Sequence, residues 1–181
     1  MSTLHIGFIG LGLIGGSIAK ALKKNTPDIR ITAYDVNTDT LTLAEEEGIA
    51  DTTTSQINEA FSDCNYIFLC APVQKNDANL LAVKNVIHEN CTLTDVGSVK
   101  TNIHEHIKNA GLEKQFIGGH PMAGSERFGY QNSKASLLEN AYYILTPTPE
   151  TSDDKLNAYK ELVIKTGAIP LILDYKQHDY V

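Results

Sequence analysis

The chain has 181 residues, 42% of them apolar, with a formal charge of −7 and no apolar run near the roughly 20 residues that a membrane-spanning helix needs. That length suits one globular domain with a buried core, and the acidic balance excludes the basic face that nucleic acid or an anionic membrane would require. The N-terminus lacks a basic-then-apolar leader, and Cys64, Cys70 and Cys91 show no CxxC spacing, so the expectation is a cytoplasmic protein with reduced thiols, no disulfide framework and no metal site.

Short runs rich in β-branched residues alternate with longer amphipathic segments, which predicts an α/β fold with a doubly wound, mostly parallel sheet and helices on both faces. In chain order the pattern predicts a strand at 5–9, a helix at 13–24, a strand at 29–34, a helix at 38–47, a strand at 66–70 and a helix at 76–88. A strand at 92–95, a helix at 101–109, strands at 115–117 and 142–145, a helix at 153–166 and a strand at 169–173 follow. Residues 118–136, rich in glycine, read as a loop far longer than such folds usually need, and long loops are often functional. The last eight residues, DYKQHDYV, open polar and turn apolar again at Tyr180 and Val181, which predicts the start of a further helix. We therefore expect one domain over residues 1–173 and, over 174–181, a linker leading into a truncated second domain.

The run Gly10-Leu11-Gly12-Leu13-Ile14-Gly15 follows the first strand and opens the first helix. This is the setting in which GxGxxG binds a dinucleotide: the first glycine makes the tight turn, the second lets backbone amides approach a pyrophosphate, and the third lets the helix pack on the strand. The positive end of the helix then faces the phosphates. Asp35 ends the second strand about 20 residues further on, where a carboxylate accepts hydrogen bonds from ribose hydroxyls. That carboxylate, with no arginine just after it, favours NAD over NADP. Two more strand ends, Cys70-Ala71-Pro72-Val73 and Asp95-Val96-Gly97-Ser98, reach the same carboxyl edge of the sheet, where ligands bind in open α/β folds. Ser98 is there to cap the following helix or to meet a ligand.

The stretch GGHPMAGSE brings His120 to that crevice. An alcohol dehydrogenase needs a base for the hydroxyl proton, and an imidazole suits that task near neutral pH, with Ser98 placed to orient it. The other histidines read as bland: His88, His104 and His106 fall on polar helix segments, and His5 is expected near the surface. Glu126 and Arg127 either line the pocket or form a solvated loop pair.

GLGLIGGS, LCAPV, DVGSVK, GGHPMAGSE and ENAYYILTP, in this order and at these intervals, resemble the N-terminal dinucleotide-binding domain of the prephenate dehydrogenase family over essentially the whole chain. The resemblance implies a Rossmann-like domain and an NAD-dependent oxidative decarboxylation of prephenate to 4-hydroxyphenylpyruvate in tyrosine biosynthesis. It implies His120 as catalytic base, Ser98 hydrogen-bonded to it and near the nicotinamide, and His178 of the terminal QHD as a substrate or site-organising residue. Gly10, Leu11, Gly12, Leu13, Ile14, Gly15, Asp35, Ala71, Pro72 and Ser98 carry over as cofactor positions. It also implies a helical C-terminal domain, absent from this chain, that forms a homodimer and supplies an arginine for the substrate carboxylate, so the chain alone is expected to bind NAD but turn over poorly. An arogenate dehydrogenase would share the fold and chemistry. A 3-hydroxyacid dehydrogenase or imine reductase would place a lysine base on a later helix, and a non-catalytic NAD-sensing module would have no use for His120.

Overall fold

The computed structural model describes residues 3–71 and 76–180. Strand β1 (His5–Ile9) is buried at all five positions, as a strand with neighbours on both edges and helices on both faces must be. It pairs in parallel with β2 (Arg30–Tyr34) on one side and β4 (Tyr66–Leu69) on the other. β3 (Thr52–Thr54) adds to β2 and β5 (Thr92–Asp95) adds to β4, which gives the order β3-β2-β1-β4-β5.

Helices close both faces. α1 (Leu13–Asn25), α2 (Thr38–Glu46) and α5 (Asp153–Ile164) cover one face, where Ile6, Phe8 and Phe68 meet Ile18, Leu41 and Tyr159. Phe8 and Phe68 stack with ring centroids 5.1 Å apart. α3 (Asn76–Lys84) and α4 (Thr101–Asn109) cover the other face, where Ile67, Leu69 and Leu93 meet Leu80, Val83 and Ile107. Burying each such side chain stabilises the fold by about 1.5–3 kcal/mol before conformational entropy is counted.

A second sheet, β6 (Ile117–Pro121), β7 (Tyr142–Pro147) and β8 (Ile169–Ile172), abuts β5 through a parallel bridge between Leu93 and Phe116. β7 runs antiparallel to β6, and β8 runs parallel to β7. The doubly wound, mostly parallel architecture is thus present, with a reversed pair of strands at one end. A short helix, α6 (Tyr175–His178), is capped by Asp174, whose carboxylate accepts from the amides of Lys176 and Gln177.

Several boundaries differ from those the pattern predicts. β3 is a three-residue edge strand of threonines with no apolar period. α3 stops at Lys84, and His88 lies beyond it with Nε2 bonded to the Cys64 carbonyl at 2.9 Å. The strand expected at 115–117 is shifted: Gln115 closes a 3₁₀ turn, and β6 continues through Gly118, Gly119 and His120. These glycines are therefore not a loop. A Cβ on Gly118 would lie 2.1 Å from Thr146 Oγ1, and one on Gly119 would lie 2.6 Å from the Asp95 carbonyl oxygen. They are strand residues in places too close for a side chain. The connection after β6 holds a 3₁₀ turn at Tyr130–Asn132 that packs on α1, with Tyr130 against Gly16 and the Lys134 amide donating to Ser17 Oγ at 3.0 Å.

His5 and His104 also depart from expectation, since both are buried. His5 lies between Asp63 (Nδ1 to Oδ1, 2.8 Å) and Thr32 (Nε2 to Oγ1, 2.7 Å). The three thiols are free, and burial raises the pKa of each, which makes them poor nucleophiles.

A Cβ on Gly15 would meet the Gly10 carbonyl oxygen at 2.8 Å and Cys70 Cβ at 3.1 Å, so Gly15→Ala must push α1 away from the turn that precedes it. The expected loss is about 1–3 kcal/mol of stability, read as a lower urea midpoint with an unchanged m-value.

Candidate active site

The turn after β1 opens on Gly10, whose φ of +99° is a backbone conformation open to glycine. Its amide donates to the Tyr34 carbonyl at 2.7 Å, and the Leu11 amide donates to Asp35 Oδ2 at 2.8 Å, which ties the glycine turn to the end of β2. Leu11 turns its side chain into the core. Gly12, at the N-cap of α1, has nothing within 4 Å of where a Cβ would stand. α1 has neither a side-chain cap nor an acidic residue in its first turn, so its positive end faces open space.

Asp35 Oδ1 accepts the Asn37 amide at 2.8 Å. With one amide on each oxygen, the carboxylate keeps lone pairs for two further donors, as a ribose diol would need. Gly10, Gly12, Asp35 and Ala71 line one cavity of about 390 Å³. The residues present thus fit a dinucleotide: an open glycine turn, an uncapped helix end and a carboxylate one strand away. Leu13, Ile14 and Gly15 belong to α1 and are not in this wall. Pro72, expected beside Ala71, lies outside the described residues, as does Val73.

Ala71 also lines a second cavity, with Asp95, Gly97 and Ser98, at the end of β5. Ser98 and Val99 are shared in turn with a third cavity of about 310 Å³, whose wall includes His120, Met122, Ile144 and His178. Residues in or just after β1, β2, β4, β5 and β6 therefore line adjoining cavities, with Asp35 at one extreme and His120 at the other.

His120 is half-buried in β6, opposite Ile144 of β7. Its Nδ1 is 2.8 Å from His178 Nε2, and His178 Nδ1 is 2.8 Å from Asp179 Oδ1. Ser98 is exposed and makes no hydrogen bond to His120 among the described residues; the imidazole's partner is His178. Nor does Ser98 cap α4. Lys100 holds the N-cap position without a side-chain bond, and the Lys100 and Thr101 amides donate to Asp179 at 2.8 and 2.7 Å. Burial, followed by the neighbouring His178 and Lys100, pushes His120 below its ordinary pKa, against the pull of Asp95 and Asp179. The imidazole is thereby kept in its basic form at neutral pH.

Beneath His120 is an ion pair that the sequence reading passes over. Lys100 is fully buried, and its Nζ donates to Asp95 Oδ2 and, at 2.6 Å, to the Gly119 carbonyl. Asp95 Oδ1 accepts the Gly119 amide at 3.0 Å, and Oδ2 accepts the Gly97 amide at 3.1 Å. Burial pulls the lysine's pKa down and Asp95 opposes it. A lysine at a helix N-terminus sits against the helix dipole, and that misplacement, five residues after a strand-ending aspartate, is the available signal. His104 is the other missed residue. It bonds Thr146 Oγ1 through Nε2 at 2.8 Å and stacks on Tyr175 of α6 at 4.2 Å, fastening α6 and hence His178 to α4. Glu126 and Arg127 are exposed and are absent from the wall of the His120 cavity.

This combination of a dinucleotide turn and a histidine at the sheet's carboxyl edge defines a nucleotide-binding domain of the oxidoreductase type. Residues 18–171 match the family described as prephenate dehydrogenase, nucleotide-binding domain, and the chain belongs to that family. It is 36% identical over 175 residues to the prephenate dehydrogenase of Bacillus subtilis, which covers 95% of this chain and 47% of that protein. The crystal structure of A. aeolicus prephenate dehydrogenase in complex with hydroxyphenyl propionate and NAD+ superposes with a TM-score of 0.92 at 33% identity, covering 99% of this chain and 63% of that one. Synechocystis arogenate dehydrogenase superposes with a TM-score of 0.90 at 31% identity, covering 97% and 62%. The chain spans about half the length of its curated prephenate dehydrogenase relatives, and no helix among the described residues is long and apolar enough to cross a membrane.

Two predictions follow from the buried groups. Lys100→Met leaves Asp95 charged and unpaired in the interior, and should cost about 3–5 kcal/mol in urea unfolding. Burial pushes the His104 pKa down to about 4 from 6.5. Below pH 6.5 the unfolded chain therefore binds a proton that the fold resists; the His104 contribution is complete above that pH and is lost as pH falls towards 4. His104→Gln should flatten this acid limb, so that urea stability measured from pH 7 to pH 4 declines less steeply than in the wild type.

Proposed function

We propose that the protein is an NAD-dependent prephenate dehydrogenase that converts prephenate to 4-hydroxyphenylpyruvate and carbon dioxide in the cytoplasm. The observation that carries this reading is the run of adjoining cavities from the Gly10–Gly12 turn and Asp35, past Ala71 and Ser98, to His120. Its two ends suit a dinucleotide and a small hydroxylated substrate.

NAD, when bound, supplies the acceptor for the hydride that leaves the substrate's carbinol carbon. Gly10, Gly12 and the amides at the start of α1 hold the pyrophosphate, with Leu11, Leu13, Ile14 and Gly15 shaping the turn and the first helical residues. Asp35 receives the ribose hydroxyls and, being anionic, disfavours the 2′-phosphate of NADP. Ala71 and Ser98 would flank the nicotinamide side. His120 accepts the ring hydroxyl proton as the carbinol carbon is oxidised. Loss of the carboxylate as carbon dioxide then leaves its electron pair to the aromatising ring, so no metal or covalent adduct is required of the protein. His178 organises the site at the His120 end.

The His120 cavity has no Lys or Arg side chain in its wall among the described residues, and Lys100 is committed to Asp95. The family resemblance would place a cation for the substrate carboxylates in a C-terminal domain of a homodimer. The similarity to Synechocystis arogenate dehydrogenase keeps the amino-acid analogue as a second substrate reading; relative kcat/KM on the two compounds decides between them.

His120→Asn in the full-length protein should lower kcat on prephenate by about 10²–10⁴-fold while NAD affinity, followed by fluorescence titration, stays the same. A turnover number equal to the wild type's would remove His120 from the chemistry and leave NAD sensing as the better reading.

A further inference from the structure

We infer that His178 is a positioning residue that fixes the tautomer of His120, and that the chain His120–His178–Asp179, tied to the N-terminus of α4, leaves the Nε2 lone pair of His120 as the proton acceptor. The inference rests on the reading of His120 as the base and deepens it.

Asp179 anchors the chain. Its carboxylate takes the Lys100 amide on Oδ1 and the Thr101 amide on Oδ2, both at the start of α4. Although burial works the other way, bonds from Thr101, His178 and Lys100 hold the Asp179 pKa well below the usual carboxylate range. It is an anion throughout the working range and can only accept. The 2.8 Å contact between Asp179 Oδ1 and His178 Nδ1 therefore carries its proton on Nδ1. An imidazole with its single proton on Nδ1 presents Nε2 as an acceptor, and His178 Nε2 lies 2.8 Å from His120 Nδ1. His120 must donate from Nδ1, which leaves Nε2 without a proton.

The substrate O–H bond breaks, its electron pair forms the C=O bond as hydride leaves the carbinol carbon, the proton forms an N–H bond at His120 Nε2, and the resulting imidazolium keeps its Nδ1–H bond to His178. No proton needs to pass along the chain; Asp179 stabilises the new charge through His178. The groups facing His120 from the neighbouring elements are His178 and Asp179 at α6, Lys100 at the start of α4 and Asp95 at the end of β5. Lys100 and Asp95 are paired with each other, so among the described residues the chain through His178 is the directional contact on the ring. His178 is itself buried and held by α6, which His104 fastens through Tyr175.

The test uses the full-length protein and three variants. His178→Leu removes the acceptor; His178→Gln restores one, because its Oε1 occupies roughly the place of Nε2; His120→Asn reports on the base itself. We expect His178→Leu to lower kcat on the order of tenfold to a hundredfold, less than loss of the base, with KM for prephenate and NAD affinity within about twofold. His178→Gln should recover most of kcat. Selective ¹⁵N labelling of histidine should show His120 protonated on Nδ1 in the wild type and a mixture of tautomers in His178→Leu. Wild-type spectra with the His120 proton on Nε2 would overturn the proposal whether or not the leucine variant folds, and so would an unchanged kcat in His178→Leu. A glutamine variant as impaired as the leucine one would also overturn it. If His120→Asn retains turnover, the reading of the base fails; if only the His178 variants are silent, the base stands and the relay falls.

Discussion

The buried pair of Asp95 and Lys100 is the contact on which the rest of the site depends. Removing two charges from water costs several kcal/mol per ion, and such a pair is tolerated only when its remaining polar valences are filled. Here they are: the carboxylate takes the Gly97 and Gly119 amides besides the ammonium, and the ammonium also takes the Gly119 carbonyl. Among the described residues no buried side-chain nitrogen or oxygen lacks a partner. The pair stands where the backbone ladder between the two sheets gives out after the single bridge of Leu93 and Phe116. Side chains take over the work of strand pairing at Gly119, and His120 is the next residue. Its position follows from an electrostatic clamp whose members carry no apolar signal.

That clamp explains the glycines. A loop reading assigns Gly118 and Gly119 the task of leaving a strand, but the strand continues through them. Glycine is required because the Asp95 carbonyl, Thr146 and His104 lie where side chains would be. Close approach at Gly119 is what lets both its backbone groups reach the ion pair. The histidine is therefore built on a strand, with the spread of positions that a loop allows removed, and a catalytic base gains from such rigidity.

The legible parts of the molecule are the local ones. The glycine turn, Asp35 and the strands β1, β2 and β4 are legible because each signal lies within one βα unit and the burial of those strands enforces apolar residues. β3 escaped because an exposed edge strand of three threonines needs no apolar residue. The pattern puts His5 near the surface and His104 on a polar helix segment because burial of a polar ring depends on partners far along the chain, Asp63 in one case and Thr146 in the other. The same holds for the pairing of His120 with His178, 58 residues apart. Ser98 and His120 line one cavity, as their strand-end positions suggest, but the partner of the imidazole is not legible, since it depends on which side chain the tertiary fold brings nearer.

The long connection after β6 gives the fold its last constraint. It returns from His120 to the far side of α1, where Tyr130 packs on Gly16 and its hydroxyl donates to Glu47 at 2.6 Å, while Lys20 lies 4.4 Å above the Tyr130 ring. Lys20 also donates to the Ser133 carbonyl at 3.2 Å. The helix whose N-terminus faces the dinucleotide cavity is thus braced by the segment that leaves the histidine strand. On the other side, Asp179 joins the start of α4 to the residue that bonds His120. Both ends of the site are fixed to the same framework, so the distance between a bound dinucleotide and the histidine is set by packing and is not left to a mobile loop. In the proposed reaction, a hydride acceptor and a proton acceptor act on one carbinol group from two directions. A framework that fixes their separation before substrate arrives lowers the barrier to that reaction through orientation.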